Sequence, residues 1–270
     1  MKLAFSTLGC PDWTVEEVVE AACRYGFDGI ELRGIKGELD IRRSPDFFPE
    51  RIKKTRALFE DSALEIISVD SSASFSWQEP EKIKNSMNEA QDYILLANQL
   101  GAPFVRVFGG YIPEEAPLSQ GIQQLADNLS RLGDYAYENN VIVLLETHDS
   151  FLSGNTVSKV MKKTHHKAVG VVWDVSNCFW TGEPIKDTAE FLAPYLKHIH
   201  IKDSIKEGKE AKLTFIGQGD VPVYEVIQVL SSIGYTGYLS YEWEKVWQPD
   251  LPEADEAFPQ FVKKMKEYLK

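Results

Sequence analysis

Four ionisable side chains close four successive short apolar runs. Glu146 ends Val141–Glu146, Asp174 ends Val169–Asp174, His200 lies in His198–Lys202, and Glu242 ends Tyr238–Glu242. A charged group at the end of an apolar run is costly to bury unless it is paired or ligates a metal. Three carboxylates and one imidazole offer hard oxygen donors plus one nitrogen. That set suits one divalent ion (Mn2+, Zn2+, Co2+ or Mg2+) in an open site that also takes substrate oxygens. The competing use is ion pairing with Arg33, Arg106 or Lys202. Glu244 shares one face with Glu242 in an extended strand and is the rival ligand there. Glu242 is preferred because it directly follows the apolar run.

The elements that must carry these groups are legible from periodicity. Eight short, β-rich runs recur: Lys2–Thr7, Gly29–Leu32, Glu65–Val69, Phe104–Phe108, Val141–Glu146, Val169–Asp174, His198–Lys202 and Tyr238–Glu242. Their nearly continuous apolar character is that of parallel strands covered on both faces. Helical patterns fill the intervals: Thr14–Tyr25, Pro49–Ser62, Pro80–Leu100, Pro117–Asn139, Thr156–His165, Pro184–Ala193, Pro222–Ile233 and Ala254–Leu269. Thr14 and Glu17 form a capping-box signature. Gly26-Phe-Asp-Gly-Ile-Glu-Leu32 and Gly234-Tyr-Thr-Gly-Tyr-Leu-Ser240 share a layout, and Leu100-Gly-Ala-Pro-Phe-Val105 is a looser copy. Each reads as a helix-ending glycine, a turn and a strand. Strict strand–helix alternation in 270 residues, with no linker or composition shift, predicts one (β/α)8 TIM barrel over residues 1–270. In such barrels chemistry sits at the C-terminal ends of the strands, where the four groups stand.

Composition narrows the classes. At 43% apolar and 26% charged the chain is an ordinary globular protein. Its 29 basic against 41 acidic residues leave a net charge of −12, which repels phosphate backbones and disfavours a nucleic-acid partner. The cysteines Cys10, Cys23 and Cys178 are too few and too irregular for a disulfide framework or zinc ribbon. The expectation is thiols in a reducing cytoplasm. No apolar run approaches the ~18 residues of a membrane span. The opening MKLAFSTLGC only faintly mimics a lipoprotein cleavage site.

The motifs Gly26-Phe-Asp-Gly-Ile-Glu31, Leu145-Glu-Thr-His148, Trp173-Asp-Val-Ser-Asn177, His198-Ile-His-Ile-Lys-Asp203, Gly217-Gln-Gly219 and Ser240-Tyr-Glu-Trp-Glu244 follow one another as they do in a known family. The chain resembles the xylose-isomerase-like sugar isomerase and epimerase barrels. These include ketose 3-epimerases, hydroxypyruvate isomerases, inosose dehydratases and, remotely, endonuclease IV. The resemblance spans almost the whole chain and is specific to the superfamily rather than to one activity. It implies Glu146, Asp174, His200 and Glu242 as the metal ligands. It also implies Glu146 and Glu242 as catalytic groups on opposite sides of the reacting carbon, one removing a proton and the other returning it. Two departures weigh against a ketose 3-epimerase: Asn177 stands where many members have His, and Leu152 where those epimerases have a further Glu.

The chemistry implied is proton abstraction beside a carbonyl, with a divalent ion stabilising the enediolate. Return of the proton gives isomerisation or epimerisation of a small sugar or sugar-like ketone, the leading expectation. Loss of a β-hydroxyl gives dehydration of an inosose or dehydroshikimate type. An endonuclease IV-like nuclease and a non-catalytic sugar-binding barrel are remote alternatives. Five histidines and the acidic charge oppose the nuclease.

Five residues are candidates for substrate binding: His148, Asn177, Lys202, Glu31 and Arg106. His148 also reads as a group that orients a ligand or as an ordinary loop histidine. Glu31 has the alternative of pairing with a rim arginine, and Lys202 and Arg106 that of pairing with the site's carboxylates. Asp203 either orients His200 or caps the following loop. His198 is expected to pack, and His165 and His166 to be solvated or placed against the helix dipole at a helix end. Gly217-Gln-Gly-Asp220 is a turn or a phosphate cradle. Trp13, Phe75, Trp77, Phe108, Phe179, Trp180 and Trp247 follow strands and offer an apolar wall or loop packing. The segment Trp243–Pro259 covers the rim or contributes to a homodimer.

Overall fold

The computed structural model describes residues 1–76, 79–208 and 210–270; Trp77 lies outside them. Its elements are β1 (Lys2–Ser6), α1 (Val15–Tyr25), β2 (Gly29–Leu32), α2 (Ile52–Asp61), β3 (Glu65–Ser74), α3 (Pro80–Leu100), β4 (Phe104–Phe108), α4 (Leu118–Glu138), β5 (Ile142–Glu146), α5 (Gly154–Thr164), β6 (Val169–Asp174), α6 (Val175–Phe179), α7 (Ile185–Leu192), β7 (Leu196–Ile201), β8 (Asp203–Glu207), β9 (Glu210–Thr214), α8 (Val223–Ser232), β10 (Tyr238–Tyr241) and α9 (Ala254–Tyr268). Strands close in the order β1-β10-β7-β6-β5-β4-β3-β2, the (β/α)8 barrel expected from the alternation, and β8 and β9 pair separately as an antiparallel hairpin. Among the described residues no helix is long and apolar enough to cross a membrane.

The chain condenses into two compact units, Met1–Ile67 with Ile199–Lys270, and Ser68–His198. In the first, parallel registers set Ser6 beside Glu31 and Ser240 beside His200. An aromatic cluster fastens α9 to its strands. Phe5 lies 4.2 Å from Phe258, and Tyr241 stacks on Phe261 at 4.4 Å, ring centre to ring centre. Phe258 is fully buried. Phe258→Ala removes a ring at the centre of this packing and is expected to cost about 3–5 kcal/mol, read as a lowered midpoint in chemical denaturation.

In the second unit, register places Arg106 of β4 between Asp70 of β3 and Leu144 of β5, and Glu146 beside Val172 of β6. Polar groups at strand ends are thereby lined up on neighbouring strands.

Local signals behave as read. Thr14 and Glu17 exchange both bonds of a capping box, at 3.2 and 2.8 Å. The repeat glycines Gly26, Gly101 and Gly234 adopt φ of 81°, 77° and 75°, the left-handed conformation in which a side chain is strained.

Four features differ from the expectation. β3 continues past Val69 to Ser74. Helix α2 starts at Ile52, because Pro49 lies in the turn whose Phe48 carbonyl receives the Arg51 and Ile52 N–H groups. A short α6 follows β6 directly, capped by Asp174. The β8–β9 hairpin extends the chain between β7 and α8.

Candidate metal centre

In the Ser68–His198 unit the centre of charge is Arg106, 2% exposed. Its guanidinium lies 3.1 Å from Glu146 Oε2 and 3.4 Å from Asp70 Oδ2, and Nη1 donates to the Ser71 carbonyl at 2.8 Å. It also covers the Phe108 ring, 4.1 Å from the ring centre. Of the two uses open to Arg106, pairing with carboxylates is the one realised here. Asp70 belongs to this group although the sequence did not single it out: it is the first residue past the apolar run that ends at Val69, and Ser68 donates to it at 2.7 Å.

Asp174 leaves β6 as the cap of α6, its Oδ1 accepting the Asn177 N–H at 2.8 Å. Its own N–H donates to Thr147 Oγ1 at 2.8 Å, which ties the ends of β5 and β6 together. The Asn177 amide donates to the Thr147 carbonyl at 3.3 Å. His148, just past Glu146, packs its ring 4.7 Å from that of Phe108, and Nδ1 lies 2.7 Å from Asp149 Oδ1. Its side chain is 39% exposed, unlike the buried carboxylates beside it.

In the other unit, His200 is fully buried between two carboxylates. Nε2 lies 3.1 Å from Glu31 Oε2 and Nδ1 lies 3.3 Å from Glu242 Oε1. Lys202 donates to Glu242 Oε2 at 2.6 Å and also to Glu244. Burial opposes charge on Glu242, but the neighbouring His200 and Lys202 outweigh it and hold its carboxyl well below the usual carboxylate range.

The two alternatives for Asp203 resolve to the loop. Its carboxylate accepts N–H bonds from Ser204, Gly217, Gly219 and Val221 at 2.8–3.1 Å. The glycine pair that resembled a phosphate cradle therefore spends its N–H groups on an internal carboxylate. A Cβ on Gly219 would sit 2.2 Å from Asp203 Oδ1, so only glycine fits. Asp203→Ala removes the acceptor of four N–H groups at once. It is expected to cost about 2–4 kcal/mol and to open residues 204–221 to limited proteolysis.

Other residues singled out above take the following places. His166, at the end of α5, is partly buried: its Nδ1 accepts the Ala168 N–H at 3.1 Å and its ring packs on Gly133. Phe75 is fully buried and belongs to the core, not to a wall over the site. Phe108 serves as the plate between Arg106 and His148. Trp247 is 54% exposed. Burial pushes the Cys10 and Cys178 thiols up.

Glu146 and Asp174 are buried at strand ends of one unit, and His200 and Glu242 are buried in the other. Among the described residues six buried carboxylates (Glu31, Asp70, Glu146, Asp174, Asp203 and Glu242) face only three buried Arg or Lys side chains, Arg33, Arg106 and Lys202. An excess of buried negative charge is expensive, and a divalent cation offsets it. The donor set fits such an ion, and its chemistry does not choose among Mn2+, Zn2+, Co2+ and Mg2+.

Comparison with known proteins agrees with this fold. The family model of the xylose isomerase-like TIM barrel matches residues 19–266. The inosose dehydratase of Clostridium perfringens is 26% identical over 264 residues, covering 86% of this chain and 83% of that protein. The crystal structure of the IOLI protein with a bound zinc atom superposes with a TM-score of 0.85 at 17% identity, covering 100% of this chain and 98% of that one. D-psicose 3-epimerase from Clostridium cellulolyticum H10, solved with D-tagatose, gives a TM-score of 0.80 at 16% identity, with 100% and 98% covered.

Proposed function

The chain belongs to the xylose isomerase-like TIM barrel family, and on that premise we propose that it is a divalent-metal-dependent dehydratase of a small polyol ketone of the inosose type. Glu146, Asp174, His200 and Glu242 would hold the ion. When bound, it supplies a Lewis acid for the substrate carbonyl and takes up negative charge as the neighbouring carbon loses its proton.

The observation that carries the choice of reaction is the state of the two glutamates. Each sits in a buried ion pair, Glu146 with Arg106 and Glu242 with Lys202, so each is poised to accept a proton and not to give one. Glu242, held by the shorter contact and by His200, is the weaker base. Glu146 therefore removes the proton α to the carbonyl. The C–H electron pair moves into an enediolate, whose collapse expels the β-hydroxyl. The proton donor in this reading is His148, whose ring is held by Asp149 and Phe108. A histidine is the side chain suited to give a proton near neutral pH, and with that proton the hydroxide leaves as water. Base and acid two residues apart favour removal of H and OH from one face of the substrate. The C. perfringens relative supports a dehydratase through its name and its coverage.

The substrate carries no phosphate at the turn before α8, because Asp203 already takes the Gly217 and Gly219 N–H groups. A small neutral polyol ketone meets that condition.

A second reading keeps the same first step and has Glu242 return the proton, giving epimerisation or isomerisation. It is supported by the likeness of fold to D-psicose 3-epimerase. Proton NMR in D2O with inososes and ketoses, in the presence of Mn2+, Co2+, Zn2+ or Mg2+, separates the two. Dehydration gives a product lacking one water. Epimerisation gives a product with every hydroxyl retained and one deuterium gained. Loss of no water from any inosose or related polyol ketone removes the dehydratase reading.

A further inference from the structure

Glu31 is a buried carboxylate in contact with His200 and is outside the four-ligand set. It lies on β2, 169 residues from His200 in the chain, and both side chains are completely buried. The two ring nitrogens of His200 point at different partners, Nε2 at Glu31 and Nδ1 at Glu242. A neutral imidazole can give a lone pair to a metal through only one nitrogen, and the other then carries the hydrogen. The nitrogen on the side of Glu242 is the one beside another ligand. We propose that Glu31 is the positioning residue of the metal centre: it accepts the Nε2–H of His200, fixes that tautomer and ring orientation, and leaves Nδ1 to the ion. This rests on reading Glu146, Asp174, His200 and Glu242 as the ligand set.

Physical reasons favour the assignment over a hydroxyl contact. A carboxylate hydrogen-bonded to the far nitrogen of a ligating histidine raises the basicity of the near one and prevents rotation of the ring. In a dry interior such a bond is stronger than in water. β2 presents Glu31 beside Ser6 of β1, so its backbone is set by the barrel and not by a mobile loop.

The test uses zinc-loaded and metal-free protein. The five histidines make nitrogen-15 assignment practical, with His200→Ala identifying the signal. In zinc-loaded wild type, Nε2 of His200 is expected to carry the proton and Nδ1 to show the metal shift; the reverse overturns the proposal. Competition for Zn2+ against a chromophoric chelator is expected to show roughly 10- to 100-fold weaker binding in Glu31→Gln, with the thermal midpoint of the metal-free protein little changed. Wild-type affinity in Glu31→Gln also overturns it. Should Glu31→Gln not fold, the wild-type nitrogen spectrum decides alone. Glu31 and His200, in contact, are both residue types that ligate metal. Two ions per wild-type chain falling to one in Glu31→Gln would therefore make Glu31 a ligand and overturn the positioning role. His200→Ala separates the two readings. If it keeps wild-type zinc affinity, the ligand set itself is wrong. If it loses zinc while Glu31→Gln does not, only the role of Glu31 falls.

Discussion

Glu146→Gln is expected to lower turnover by roughly 10²- to 10⁴-fold, the range in which a positioned base contributes. That corresponds to about 3–5 kcal/mol of transition-state stabilisation. The substitution is close to isosteric. Arg106 keeps Asp70 at 3.4 Å and the Ser71 carbonyl at 2.8 Å, so the buried guanidinium is not stranded. The large penalty for orphaning a buried charge is thereby avoided, and the thermal midpoint should move little. An amide still offers one oxygen, so part of the metal affinity should survive. The comparison to make is turnover against metal content in the same preparation. A Glu146→Gln protein that holds metal and turns over at more than a few per cent of wild type would remove Glu146 as the base. Glu242→Gln serves as the companion: if both variants stay active, no two-carboxylate mechanism survives.

The second large effect is on metal content. Wild type, after incubation with Mn2+, Co2+ or Zn2+ and desalting, is expected to retain near one ion per chain by elemental analysis. Asp174→Ala/His200→Ala should retain essentially none, and activity should not return on adding metal. The pair is chosen because neither side chain is held by an Arg or Lys in the contacts described above; Glu146 and Glu242 are. Removing Asp174 also frees the first turn of α6 from its cap, for about 1 kcal/mol, which a stability measurement should show separately. If wild type binds no ion, the strand-end carboxylates serve Arg106 and Lys202 alone and the proposed chemistry has no electrophile.

The sequence was most readable where one physical rule dominated. Runs such as Val169–Asp174 are buried along their whole length, and continuous apolar character marks such strands unambiguously. Gly26, Gly101 and Gly234 were readable because a left-handed backbone leaves few alternatives. The charged ends at Glu146, Asp174, His200 and Glu242 stood out against those apolar runs. Asp70 was missed for the complementary reason. Beyond it β3 reads Ser-Ser-Ala-Ser through residues 71–74, small polar residues that carry no strand periodicity. The β8–β9 hairpin was missed because Ser204–Glu207 is mostly polar and exposed. α6 has five residues, too short for a helical period to show. The roles of Arg106, Lys202 and Asp203 could not be chosen from sequence because each depends on which partner lies within about 3 Å, and the chain order places most of those partners 14 to 42 residues away.

The four-bond grip of Asp203 stands at the neck of the hairpin. Its backbone pairs with Thr214 and its side chain binds Gly217 through Val221. Everything between those points is an excursion whose ends are already joined, so its length enters the folding free energy only weakly, through the logarithm of the loop closed. Mutations beyond the neck are thus insulated from His200, three residues before it. That makes the hairpin a port for variation: exposed positions such as Ile205, Lys206 and Glu207 can be exchanged while Asp203 and the strand that carries His200 keep their places.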